Sequence, residues 1–213
     1  MILLPIAASL AALAGCVAAQ EATAGAAACP GLSAAADWRM ASTADDRRRL
    51  RGWRDAWSDA LDQARSAGHA TDVAAEGALL DPDAALRGPL PPPGDYDCRT
   101  IKLGSGSPGM LAWVAYPRFR CRIEAEADGT LRFAKLTGSQ RPVGRIYADT
   151  ERRGVFLGTL QLGDERRAYR YGDDRERDMI AAVERVGERR WRLAFPSPHF
   201  ESLLDVIELT PRH

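Results

Sequence analysis

The sequence predicts a mainly β protein, an antiparallel up-and-down barrel of about eight or nine strands with an N-terminal amphipathic helix packed outside it. Three observations carry that reading. Beyond Pro93, apolar residues recur with period two in short runs. Turn pairs such as Asp128-Gly129, Gly138-Ser139 and Gly172-Asp173 separate those runs, with no helix-length connection between them. Upstream of Pro93 the period is that of a helix. Strands joined in this way pair as a meander, which closes most simply into a barrel, with a β-sandwich as the alternative.

The opening stretch MILLPIAASLAALAGC carries no charge and is shorter than the roughly 20 apolar residues of a bilayer crossing, the pattern of a secretory signal. Leu13-Ala14-Gly15-Cys16 fits a bacterial lipobox, with Cys16 as the lipid attachment site, whereas Val17-Ala18-Ala19 would serve ordinary cleavage before Gln20. The expected organisation is a signal peptide over residues 1–19, a flexible Ala/Gly-rich tether over 20–36 and a single domain over 37–212. That domain divides into a helical lead-in with a Pro-rich connector, 37–93, and the barrel, 94–212. The expected location is exported and periplasmic, held to a membrane through the N-terminal lipid.

Over residues 42–68, Leu50, Trp53, Trp57, Leu61 and Ala64 recur at helical spacing, while the arginines and aspartates fall largely elsewhere on the wheel. Ser42 or Thr43 can cap this helix and Gly68 ends it. A weaker helical stretch over 72–80 stops at Asp81-Pro82, and GPLPPP over 88–93 is a stiff extended connector. Candidate strands follow at 96–103, 111–127 with a bend at Pro117, 131–137, 143–148, 155–162, 167–171, 179–186, 190–195 and 203–209. The stretch 179–186 also reads as a short helix. The strand 155–162 is apolar on both faces, and the helix bearing Trp53 and Trp57 is its expected outer cover.

Residues 94–122 read as a β-hairpin turning near Ser105, which places Cys98 opposite Cys121 on one face and within reach of a disulfide. A loop of that length gives about 3 kcal/mol by chain-entropy reasoning. With Cys16 acylated, Cys29 is the spare thiol.

Formal charge balances at +0, which removes the compositional argument for nucleic acid or an anionic membrane surface as a partner. The positive charge is almost all Arg, and the only lysines are Lys102 and Lys135, a bias that reads as the coding preference of a GC-rich genome. Gly104-x-Gly106-x-x-Gly109 matches the dinucleotide fingerprint in letters, but β-formers and a proline follow it where a helix is needed, so it reads as a hairpin loop. His69, His199 and His213 have no metal-ligand spacing, so neither cofactor nor metal is expected. Asp173, Asp174, Glu176 and Asp178 alternate with Arg175 and Arg177 as in a solvated turn. Glu124 and Glu126 share a register with Arg120 and Arg122 as in a surface ladder.

The segments GDYDCRTIKLG, YPRFRCRIE, GRIYAD, GVFLGTL and RWRLAFPSPHFESLLDVIELTP resemble a family of exported proteobacterial proteins known only as domain of unknown function 4893, over residues 37–212. The resemblance implies export and one domain, and supplies no catalytic or binding residue. A looser likeness, carried by Gly94-x-Tyr96 and the cysteine pair beside it, is to lipocalin-like barrels and small periplasmic metalloprotease inhibitors. Those inhibitors use a free N-terminal arm, where this chain places a tether and a helix.

The function expected is therefore that of a non-enzymatic envelope lipoprotein whose barrel binds a small apolar ligand or an envelope protein. A protease-inhibitor-like module and a hydrolase using His199 at the barrel mouth are the alternatives. Tyr96, Trp113, Phe119, Ile123, Phe133, Tyr147, Trp191 and Phe195 alternate along different strands and are expected to share the interior. Of these, Trp113, Phe119, Phe133, Tyr147 and Trp191 are the candidate pocket residues. So many aromatics leave room only for a shallow pocket at one end, near Trp113 and the loop 104–109.

Overall fold

In the computed structural model, which describes residues 36–212, eight strands form one closed antiparallel barrel in which each strand pairs with its neighbours in sequence and the first closes onto the last. They are β1 Gly94–Leu103, β2 Trp113–Ala125, β3 Leu131–Lys135, β4 Gln140–Ala148, β5 Gly154–Leu162, β6 Asp178–Gly187, β7 Arg190–Pro196 and β8 Leu204–Pro211. The stretch over 179–186 is strand, as its β-branched residues favour. The signal segment, Cys16, Cys29 and the tether up to residue 35 lie outside the described residues.

The up-and-down order puts the connections β1–β2, β3–β4, β5–β6 and β7–β8 at one end, called the mouth, and β2–β3, β4–β5 and β6–β7 at the other. The ninth expected strand, 167–171, does not form. It lies in the long β5–β6 connection, where Arg and Asp replace apolar alternation and Tyr171 turns away from the sheet to donate its hydroxyl to Asp46.

The Cys98–Cys121 disulfide is present, with the Cα atoms 5.8 Å apart, but its hairpin register differs from the expected one. Cys98 pairs with Phe119 and Tyr96 with Cys121, so the bridge is diagonal. A slip of two residues keeps the same face inward because side chains alternate with period two, which is why the cysteines still meet. Nearer the mouth the slip grows to three. Arg99 faces Arg118 and Ile101 faces Ala115, leaving Tyr116 and Pro117 together opposite Thr100 in a bulge.

That bulge reverses the phase of β2 and explains a correction. Trp113 points outward, with its ring stacked 6.0 Å from His69 and packed beside Leu103 in the outer layer. Tyr147 is also outside, next to Trp38 and Val155, because its neighbour Ile146 takes the inward position. The interior is filled by Tyr96, Cys98, Cys121, Ile123, Phe133, Phe156, Trp191, Leu193 and Phe195, among others. Gly144 and Gly158 face each other across β4 and β5: a Cβ on Gly158 would collide with the Phe156 ring, and one on Gly144 with the backbone of Leu157 and Gly158, so one glycine makes room for the aromatic and the other for the close approach of the strands.

The Pro-rich connector closes the far end. Leu90 packs against the interior cluster, and Tyr96, whose hydroxyl burial pushes up to about 12, donates to the Pro92 carbonyl at 2.6 Å.

Upstream, the expected single helix is broken. After the short α1, Trp38–Ala41, come α2, Ala44–Arg51, and α3, Trp53–Ala64, parted at Gly52. Thr43 caps α2 by accepting from the Asp46 amide at 3.1 Å. A π turn follows α3, with Gly68 at φ 94, then α4, Ala70–Glu76, and a 3-10 turn ending at Leu79.

The break redirects the layer. Trp57, Ala60, Leu61 and Ala64 of α3 cover the outer faces of β1, β7 and β8 at Ile101, Leu103, Ala194, Leu204 and Val206, and not β5 as expected. The outer face of β5, Val155 and Leu157, is covered by Trp38 and Leu50. Two short helices meeting at Gly52 thus reach two patches that one straight helix could not.

Trp57 is fully buried, and truncating an aromatic at such a site typically costs about 3 to 5 kcal/mol. Trp57→Ala is expected to lower the melting temperature by roughly 10 °C in a chain of this size. Met40→Ala, at a position 87% exposed, is expected to leave it unchanged, both read by circular dichroism.

Candidate functional site

Where the aromatics end, toward the mouth, the barrel opens into a cavity of about 470 Å³. All eight strands reach it. Its apolar wall is Pro117 and Phe119 from β2, Leu160 from β5, Met179 from β6, Phe195 from β7 and Ile207 from β8. Its polar groups include Thr100 and Lys102 from β1, Lys135 from β3, Asp178 from β6 and Asp205 from β8, with Glu176, His199 and Glu201 from the mouth connections, and the guanidinium groups of Arg49 and Arg177 also line it.

The two lysines of the chain are both buried, at 5% and 6% exposure, and both line this cavity. Their circumstances differ. Lys102 Nζ is 2.6 Å from Glu201 and 3.7 Å from Asp205. Burial opposes its charge, but the two carboxylates outweigh burial and hold its pKa above the ordinary lysine value. Burial pushes the Asp205 carboxyl up, against the pull of Lys102 and of the Ser202 hydroxyl that donates to it.

Lys135 has no carboxylate at ion-pair distance among the described residues. Its Nζ donates to the Gln140 carbonyl at 2.8 Å and lies 3.8 Å from the centre of the Phe119 ring, a cation–π contact. Burial, and secondarily the charge of Lys102, lowers its pKa to about 8. The depression penalises the ammonium, yet at about 8 the group still favours its charged form at pH 7. The cavity therefore holds a cation that no carboxylate pairs directly among the described residues, with Asp205 acting on it from farther off.

Asp178 of β6 also lines the cavity. Its Oδ1 accepts from the Gly172 amide at 2.8 Å, its Oδ2 is buried without a partner, and burial raises its pKa. Arg49 of α2 steadies this side by donating to the Asp178 carbonyl at 2.8 Å.

Of the five expected pocket residues, Phe119 lines the cavity. Phe133 lies in the packed interior, edge-on to Phe156 at 5.7 Å, and Trp191 is packed edge-on against Tyr96 at 6.2 Å. Trp113 and Tyr147 are on the outside of the barrel. The opening is at the end expected, that of the loop 104–109, but it is a chamber with charged walls rather than a shallow apolar depression. His199 stands on its rim and makes no hydrogen bond to the neighbouring carboxylates among the described residues, while the Ser202 hydroxyl is committed to Asp205.

Sequence reasoning missed Lys102 and Lys135 although the signal was visible. Lys102 falls on the inward phase of Cys98 and Thr100, and Lys135 on that of Phe133, where a charge needs a reason.

No curated protein and no solved structure matches the chain. The family model described as Domain of unknown function (DUF4893) matches residues 38–209, which takes in the covering helices, strands β1 to β7 and most of β8. The chain belongs to that family.

Proposed function

We propose that this protein is a non-enzymatic envelope lipoprotein that holds a small amphipathic anion in the mouth of its barrel, with Lys135 as the counter-ion of the ligand's head. The single observation that carries the reading is that the only two lysines in an otherwise arginine-based chain are both buried in one cavity. An ammonium is a compact, titratable point charge, whereas a guanidinium is a broad planar fork, so the two are not interchangeable in a confined chamber. Lys102 is neutralised internally by Glu201 and Asp205, and Lys135 is left to the ligand. Phe119, Leu160, Met179, Phe195 and Ile207 supply a wall for an apolar body, and the volume lies in the range of small-molecule sites. The head expected is a carboxylate or phosphate, which modifies the apolar ligand that the sequence suggested.

Dodecanoate serves as the probe, read by titration calorimetry. Saturable one-to-one binding is expected. Lys135→Met should weaken it by about tenfold or more, since a charge-assisted contact is worth roughly 1.5 to 3 kcal/mol. Trp113→Phe should leave it unchanged. Because the free ammonium is lost as pH rises through about 8, affinity should be level below pH 7 and fall above about pH 8 until it reaches that of Lys135→Met. Binding that is flat from pH 7 to 10, or indifferent to Lys135→Met, contradicts the reading.

The lipid anchor is tested separately. Metabolic labelling with a tagged fatty acid should mark the wild-type chain and not Cys16→Ala, whereas equal labelling of the two would make the protein simply periplasmic.

A further inference from the structure

We propose that the barrel docks mouth-first on an anionic phospholipid surface. Among the described residues, eight large apolar side chains are exposed, and six of them, Met110, Leu111, Tyr116, Leu136, Tyr169 and Phe200, stand at the mouth end. They come from every connection there: Met110 and Leu111 from β1–β2, Leu136 from β3–β4, Tyr169 from β5–β6 and Phe200 from β7–β8, with Tyr116 beside them on β2. Leu111 is 71% exposed and Tyr169 50%. The three far-end connections, residues 126–130, 149–153 and 188–189, carry none and are charged instead. Singly scattered apolar residues need no explanation, but a ring of them at one end of a barrel marks an interaction surface.

The chemistry around the ring identifies the occupant. Residues 104–112 and 136–139 carry no charge at all, and in 197–203 Glu201 is turned inward to Lys102. The β5–β6 connection adds the exposed Arg166, Arg167, Arg170 and Arg175, none with a carboxylate at ion-pair distance among the described residues, against the exposed Asp164, Asp173 and Glu176. Glu165 and Asp174 are taken by Arg177, which leaves the guanidinium groups one in excess. Apolar tips flanked by guanidinium groups and a phenol match the layers of a bilayer surface, where anionic headgroups lie over the acyl boundary. Four separate loop tips enter a fluid surface more readily than they form the flat, shape-matched patch that a folded partner requires. Net charge is zero, so this preference comes from where the charges sit and not from their sum. Docking stands without the cavity reading. If both hold, the mouth faces the layer in which amphiphiles reside.

The full chain is floated with vesicles of phosphatidylcholine, alone or mixed with phosphatidylglycerol, and hydrogen exchange is read by peptide. On the mixed vesicles, protection should rise over 104–112, 136–139, 163–170 and 197–203 and stay unchanged at the far-end connections. Leu111→Asp with Phe200→Asp, both at solvated positions, should abolish that protection. Arg166→Glu with Arg167→Glu should weaken association with the mixed vesicles by about tenfold or more and leave that with pure phosphatidylcholine unaltered. Flotation without protection of the mouth loops would assign the association to the N-terminal segment and overturn the proposal, as would unchanged protection in the Leu111/Phe200 variant. Dodecanoate titration of the same variants separates a failure of docking from a failure of the cavity.

Discussion

One buried guanidinium joins the helical layer to the barrel. Arg192 of β7 has no exposed surface. Its Nε and Nη2 donate to Glu184 at 2.9 and 2.7 Å, and its Nη1 donates to the carbonyls of Ala78, Leu79 and Asp81 at 3.0, 2.9 and 2.7 Å. Its plane lies 4.6 Å from the Trp57 ring. Taking such a group out of water costs several kcal/mol, a cost offset only where partners satisfy its donors, and here the partners come from both the barrel and the lead-in. The chain between α4 and the connector is thereby held against β7, and α3 with it. Placed there, α3 braces the mouth: Gly104 sits so close to Ala60 that a Cβ would meet it, and Gln63 accepts from the Ser105 amide at 2.8 Å. The rim of the cavity thus depends on a contact on the outer wall of the barrel.

Much of this architecture was legible because it rests on periodicity. Alternation after Pro93 and the turn pairs between runs yield all eight strands, their order and the partners of the disulfide. What stayed hidden was phase. The bulge at Tyr116 and Pro117 adds one residue opposite Thr100, and no count of alternating positions reveals it, so alternation alone puts Trp113 inside. For Tyr147 and Ile146 alternation leaves both choices open, and packing against Phe156 decides. The helix reads as continuous because the apolar stripe from Leu50 to Ala64 runs past Gly52 without a gap. Only the need to cover two patches of the barrel gives the break its purpose.

The site was harder to read than the fold. Its chemistry lies in two residues whose rarity looked like a codon effect, and rarity carries no function until the structure brings Lys102 and Lys135 to one chamber. Once there, they divide the electrostatic work. Lys102 ties β1 to β8 and to the β7–β8 connection through Glu201 and Asp205, which shapes the rim, while Lys135 is held by the Gln140 carbonyl and the Phe119 ring with no carboxylate at ion-pair distance among the described residues. The same end carries the exposed apolar ring, so ligand chamber and proposed docking surface share one set of loops.

The claim at the centre of this account is that Lys135 is a buried ammonium awaiting an anion. A chain with two lysines lends itself to a direct test: selective 13Cε,15Nζ-lysine labelling yields two side-chain signals, assigned with Lys135→Met. One of them, Lys135, is expected to titrate near pH 8 in the free protein and to move to higher pH when dodecanoate is added, while Lys102 titrates above the ordinary lysine value in both states. Two signals that both titrate at the ordinary lysine value, with neither moved by dodecanoate, would contradict it.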